Sequence, residues 1–398
     1  LGKIPEKINN NLQKRGISEC THHCSHLILK LIVSYSVRTF IGSLLIAAVA
    51  ATTPTVVYAE ELLAQASNLS NPQLDELLEQ GRKLVESGSL DQAVQVYVEA
   101  AGIDPSNPMI FSGIAYVQAL RGEYDQAVQF YRDALTLDPQ NPDFYYGLGY
   151  SLAMVENYAE AANAYRQAIN LQQTNLDAHL GLAAALFRVQ DYPGAVQIYQ
   201  NILTTYPNHW QTHAAMGMAL LQQNNVPQAL ASLQQAAAIA PNEATVQIKL
   251  GAALLKSGDQ AAGMAAFKQA GTLAPWNGDI QYQIGEIFRA ENNLEAAMKA
   301  YQQALAVKPD LVEVNAAIGE LQLQQENYIG AIVSFRKVVE NFPDSALAHF
   351  NLGRALQARG GREKQAINAF EKARDLFEKQ GEQEKVREAE AALRELED

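Results

Sequence analysis

The sequence predicts an all-α fold of about nine stacked helix-turn-helix units, and three observations carry that prediction. Pro105, Pro139, Pro207, Pro241, Pro275, Pro309 and Pro343 fall in one column, 34 residues apart or twice that, with Gln173 filling the single gap. Small side chains recur in two further columns. The eighth place of each unit holds Gly81, Ala115, Gly149, Ala183, Gly217, Gly251, Gly285, Gly319 and Gly353, and the twentieth holds Ala93, Ala127, Ala161, Ala195, Ala229, Gly263, Ala297 and Ala331. Apolar residues at places 4, 7, 8 and 11 form a stripe with the 3.6-residue period of a helix. A fixed period of this length marks stacked units, each too thin to bury its apolar faces alone.

Residues 1–59 read as a leader. They carry a net charge of +4 in a chain whose total is −13. An apolar run over residues 40–51 follows Arg38, and Val57-Tyr58-Ala59 places apolar or small residues three and one before a cut at Ala59/Glu60. This pattern predicts a secretory signal, or an uncleaved anchor, that takes the protein across or into the cytoplasmic membrane. The run is short of the roughly 20 apolar residues of a spanning helix. Both cysteines, Cys20 and Cys24, lie in this leader beside His22, His23 and His26. Their compact spacing has no second half-site, so it reads as chance clustering and no metal is expected. The body has no thiol, tolerates an oxidising compartment and does not depend on one.

Residues 60–73 read as a linker. The units begin at residues 74, 108, 142, 176, 210, 244, 278, 312 and 346, and the ninth gains one residue near 360–363. First helices open with an Asn N-cap and a proline in the first turn, as at Asn107-Pro108 and Asn141-Pro142. A turn follows around places 15–17, Pro193 and Pro227 fit the first turn of second helices, and the column proline stops them. Place 24 supplies a bulky side chain beside the small ones: Tyr97, Tyr131, Tyr165, Tyr199, Leu233, Phe267, Tyr301 and Phe335. The repeats thus occupy 74–381. Residues 382–398 predict a capping helix with Val386, Ala389, Leu393 and Leu396 inward.

These columns resemble the tetratricopeptide repeat over roughly residues 74–380. The resemblance implies a right-handed superhelical solenoid with a concave groove that holds partner peptides. The Trp usual at place 4 is replaced by Phe111, Tyr145, His179, His213, Gln247, Gln281, Asn315 and His349. His179, His213 and His349 are therefore read as packing residues, not ligands or bases. The family's carboxylate clamp needs Lys at place 5 and Asn at place 9, and no unit has that pair. The asparagine ladder of its sugar-transferring members is also missing at place 6. Resemblance to bacterial repeat proteins with similar leaders implies a role in pilus or outer-membrane assembly, or in photosystem biogenesis.

By helix-wheel arithmetic, places 5, 9 and 12 of the first helices form a second face. The partner-binding residues expected there are Tyr116, Tyr146, Tyr150, Leu180, Phe187, Met218, Leu221, Ile248, Leu255, Tyr282 and Arg289. An apolar channel with charged ends suits an amphipathic helix or an extended hydrophobic peptide. The alternative for its aliphatic members is packing between neighbouring first helices. Gly113, Gly147 and Gly181 recur at place 6, each costing about 1 kcal/mol relative to Ala in a helix, so a close backbone approach is expected to compensate.

The body's charge of −17 repels phosphate backbones, which argues against nucleic acid as a partner. The sequence holds no glycine-rich phosphate loop, metal-ligand set or Ser/His/Asp arrangement, so neither enzyme activity nor a cofactor is predicted. The expected function is an extracytoplasmic scaffold or assembly factor for a protein or peptide, such as a membrane-protein segment or secretion component. A self-assembling solenoid without a peptide ligand is the alternative, with the regulatory subunit of an enzyme complex behind it.

Overall fold

The computed structural model describes residues 71–397. The leader, its Cys20–Cys24 cluster and most of the linker lie outside them. Among the described residues there are nineteen helices and no strand, in two compact bodies, one ending at Pro241 and the other beginning at Asn242.

The first body holds α1 (Pro72–Glu86), α2 (Leu90–Ile103), α3 (Pro108–Leu120), α4 (Tyr124–Leu137), α5 (Pro142–Met154), α6 (Tyr158–Leu171), α7 (Leu176–Arg188), α8 (Tyr192–Thr205), α9 (Trp210–Gln222) and α10 (Val226–Ile239). The second holds α11 (Ala244–Ser257), α12 (Gln260–Leu273), α13 (Gly278–Ala290), α14 (Leu294–Val307), α15 (Val312–Gln324), α16 (Tyr328–Asn341), α17 (Ala346–Arg359), α18 (Glu363–Gln380) and α19 (Gln383–Glu397). Odd-numbered helices up to α17 are the first helices of successive repeats. α1 starts two residues ahead of the repeat frame, where Asn71 caps it by accepting from the Gln73 amide.

The caps follow from residue type. Asn107 accepts from the Met109 amide, and Asn141 from those of Asp143 and Phe144, so each satisfies an orphan donor of the first turn. The turn inside each of the first eight units passes through a left-handed residue. It is glycine at Gly88, Gly122 and Gly258, and a residue with a side chain at Glu156, Gln190, Asn224, Asn292 and Glu326.

Place 4 has a task its composition did not announce. His179 Nε2 lies 3.0 Å from the Gln173 carbonyl, His213 Nε2 2.9 Å from that of Pro207, and His349 Nε2 2.9 Å from that of Pro343. Gln281 Nε2 donates to the Gly271 and Ala274 carbonyls at 2.8 and 3.0 Å. These side chains satisfy carbonyls at or just beyond the end of the preceding helix, groups that no further turn of helix can reach.

The small and large columns interlock around rings. A Cβ on Gly149 would lie 2.9 Å from the Tyr165 ring, and one on Gly181 2.5 Å from Tyr165 Cζ. The ring at place 24 therefore sits between the glycine at place 8 of its own unit and the glycine at place 6 of the next. Gly147 stands in the same relation to Tyr131, where a Cβ would lie 2.5 Å from Cε1 and 2.6 Å from the hydroxyl oxygen. The close approach that compensates for the place-6 glycines is thus made by an aromatic side chain. At the far end, α19 buries Val386, Ala389 and Leu393, with Leu396 packed at the margin of the terminal core.

Candidate functional site

The structure divides the eleven residues expected in the groove. Leu180, Met218, Leu221, Ile248 and Leu255 are buried in the protein's own core. For these five it corrects the picture of an open apolar channel and shows the packing role instead. For Leu180, Leu221, Ile248 and Leu255 the reason lies in the wheel itself, whereas Met218, at place 9, is covered by its neighbours. Place 12 lies only about 40° from the core place 8, and place 5 about 60° from it. A methyl on Gly263 of α12 would lie 2.8 Å from Leu255 Cδ2, so place 12 packs against the second helix of its own unit. Phe187 likewise sets its ring edge-on to Tyr192, 5.2 Å between centroids.

Tyr116, Tyr146 and Tyr150 are different. Tyr116 is 44% exposed, and the other two are half-buried. Tyr150 meets Tyr124 edge-on at 6.2 Å, and Tyr146 leans on Tyr165 at 6.0 Å. Burial pushes the Tyr150 phenol up to about 12, with the hydrogen-bonded Tyr124 adding to the effect, and raises Tyr116 and Tyr146 as well. Desolvation also raises Tyr131, whose electrostatic neighbours are Tyr116, Tyr146, Asp143 and Tyr150. Five phenols and one carboxylate thus converge on one side of α3 and α5.

Asp143 and Asp177 belong to this face, and the sequence reading passed over them. They occupy place 2, within about 20° of place 9 on the wheel, so Asp143, Tyr146 and Tyr150 form a single stripe. Partial burial raises both carboxyls, with His209 working the other way at Asp177. Arg188, at the opposite end of α7, stacks over Tyr158 with its guanidinium carbon 4.3 Å from the ring centroid.

On α13 and α15 of the second body the corresponding face is polar. Tyr301 donates its hydroxyl to Glu286. Arg289 donates to Glu286 Oε2 at 2.7 Å and to Glu320 Oε2 at 3.0 Å. Tyr282 leans on Tyr301 at 6.1 Å. Arg289 is therefore a linchpin between two carboxylates, committed within the chain. Among the described residues no group of three or more His, Cys, Asp or Glu is placed to hold a metal ion, and no helix is long and apolar enough to cross a membrane.

Comparison with solved structures finds repeat proteins. A tetratricopeptide repeat protein from Parabacteroides merdae matches at 16% identity and a TM-score of 0.52, over 60% of this chain and 94% of that one. YrrB, described as a TPR protein with an unusual peptide-binding site, matches at 20% identity and 0.40, over 45% and 92%. A chain of the APC/C hetero-tetramer Cut9–Hcn1 matches at 19% and 0.44, over 77% of this chain but only 60% of its own length. No curated protein matches the sequence. Family models described as TPR repeat or tetratricopeptide repeat match residues 119–155 and 285–326, 186–254, and 146–209 and 316–381. Their union runs over 119–254 and 285–381, through the same helix pairs whose caps and ring clamps are described above, and the chain belongs to the tetratricopeptide-repeat family.

Proposed function

We propose that this protein is a non-catalytic scaffold that holds a segment of a partner protein on the tyrosine face of α3 and α5. The observation that carries this reading is Tyr116. A large aromatic ring stands 44% exposed amid further phenols, Tyr131, Tyr146 and Tyr150, that are themselves buried or half-buried. Tyrosines present rigid, amphipathic area at low entropic cost, which is why they anchor interfaces. The leader supports a finer reading, in which the scaffold acts outside the cytoplasm on a membrane-protein segment or secretion component.

A photo-reactive phenylalanine analogue at position 116 of the full chain, in its native cells, tests the surface. A discrete cross-linked species is expected, with none from the same analogue at Val98, which is 53% exposed elsewhere. Equal cross-linking at both positions would remove the face from consideration. For the finer reading, the exported protein should begin at Glu60 by mass measurement, and protein found wholly in the cytoplasm would end it.

A further inference from the structure

The hydroxyls at place 24 point to the kind of segment this face accepts, an inference that rests on the reading above. Tyr131 is only 7% exposed and Tyr165 only 1%. Neither hydroxyl has a hydrogen-bond partner among the described residues, and both phenols feel the groove residues Tyr146 and Tyr150 electrostatically. Gly147 leaves the space through which the Tyr131 oxygen reaches the face. The equivalent phenol of the second body, Tyr301, is satisfied internally by Glu286 at place 9. Tyr131 and Tyr165 have Tyr116 and Tyr150 at that place instead, with no carboxylate to receive their protons.

The rings are buried, but each hydroxyl ends at the face without an internal acceptor, so water or a ligand receives its hydrogen bond. The carbonyls of a helical partner are already engaged by its own amides, whereas those of an extended strand are free. Charge narrows the choice further. Residues 71–241 carry sixteen carboxylates against six Lys and Arg, a net of −10. On the face itself Asp143 and Asp177 make no ion pair among the described residues, while Arg82 is bound to Glu79 and Arg188 to the Tyr158 ring. Aromatic faces beside carboxylates attract cations.

We propose that the tyrosine face of α3, α5 and α7 takes a basic peptide in extended conformation. Its backbone carbonyls accept from the Tyr131, Tyr146 and Tyr165 hydroxyls, and its Lys or Arg side chains meet Asp143 and Asp177.

The test is fluorescence anisotropy of the full chain with three labelled peptides. One is a nine-residue peptide repeating Lys-Val-Pro, which proline keeps out of the helix. The others are its Glu-Val-Pro counterpart and a helical Lys-Ala peptide of equal positive charge. The first should bind at least roughly tenfold more tightly than either other peptide, and weaken as salt rises. Asp143→Asn with Asp177→Asn should weaken it about tenfold and flatten the salt dependence. Tyr131→Phe with Tyr165→Phe, which keeps both rings, should weaken it roughly fivefold or more, with unchanged circular dichroism.

Equal binding of the acidic or helical peptide, or no binding of the Lys-Val-Pro peptide, overturns the proposal. Binding that appears only once residues 1–59 are removed overturns it in favour of the chain's own leader. A partner cross-linked at position 116 through an acidic or helical segment would leave the docking surface standing and refute this inference alone.

Discussion

Three glycines in helices allow the ring clamp to be tested by one kind of change, glycine to alanine. The methyl group brings a helix-propensity gain of up to about 1 kcal/mol wherever it fits. At Gly102, in α2, nothing lies within 4 Å of the added Cβ, so Gly102→Ala should stabilise by about 0.5–1 kcal/mol. At Gly113 the nearest Tyr97 atom is 3.3 Å away, so gain and crowding should nearly cancel. At Gly147 the methyl would overlap the buried Tyr131 ring. Overpacking of this kind costs about 1–3 kcal/mol, and after the propensity gain Gly147→Ala should be destabilising by about 1–2 kcal/mol. Urea unfolding of the full chain, followed by circular dichroism, would give the three midpoints in that order. A second layer isolates the cause. In a Tyr131→Ala background the ring is gone, and Gly147→Ala should turn stabilising, a reversal that a double-mutant cycle reads directly. If Gly147→Ala matches Gly102→Ala, or its sign persists without the ring, the clamp does not hold these repeats together.

Two further outcomes follow from buried polar groups. Lys249 on α11 is 7% exposed, and burial pulls its ammonium from 10.5 down to about 8. The folded state then binds fewer protons than the unfolded chain between about pH 8 and 10.5, so stability from this group rises across that window and is lowest below it. Relative to the native chain, Lys249→Met should be more stable at pH 7 than at pH 10.5 by up to about 3 kcal/mol; a difference independent of pH would show that burial of charge is not its source. At place 4, His213→Gln should keep the bond to the Pro207 carbonyl, as Gln281 does for Ala274, whereas His213→Leu should lose about 1 kcal/mol. Equal unfolding midpoints for the two would dismiss the carbonyl-capping role.

The repeat frame was legible because its markers act locally. Proline stops a helix, Asn caps one, and glycine admits a neighbour, whatever the rest of the chain does. The faces were less legible because they depend on what arrives from the next helix. Leu180, Leu221, Ile248 and Leu255 look like a lining on an isolated wheel, yet places 5 and 12 border the core stripe and close over it when helices stack. Tyr116 and Tyr150 share place 9 with the buried Met218 yet remain accessible, a difference that the neighbouring helices set and the wheel does not. Asp143 and Asp177 were readable in principle, since place 2 shares the stripe of place 9. The free hydroxyls of Tyr131 and Tyr165 were not, because a phenol's acceptor depends on its neighbour in space. Only a comparison with Glu286 beneath Tyr301 reveals what they lack.

Tyr165 acts as a dowel driven through two adjacent layers. Sliding α7 past α5 by one residue would carry Gly181 off the ring and bring a side chain against it, so the layers cannot creep out of register without first withdrawing the pin. The surface above inherits that stiffness. An incoming strand meets phenols already fixed in position, and the ordering usually completed during association has been done in advance, when the protein folded.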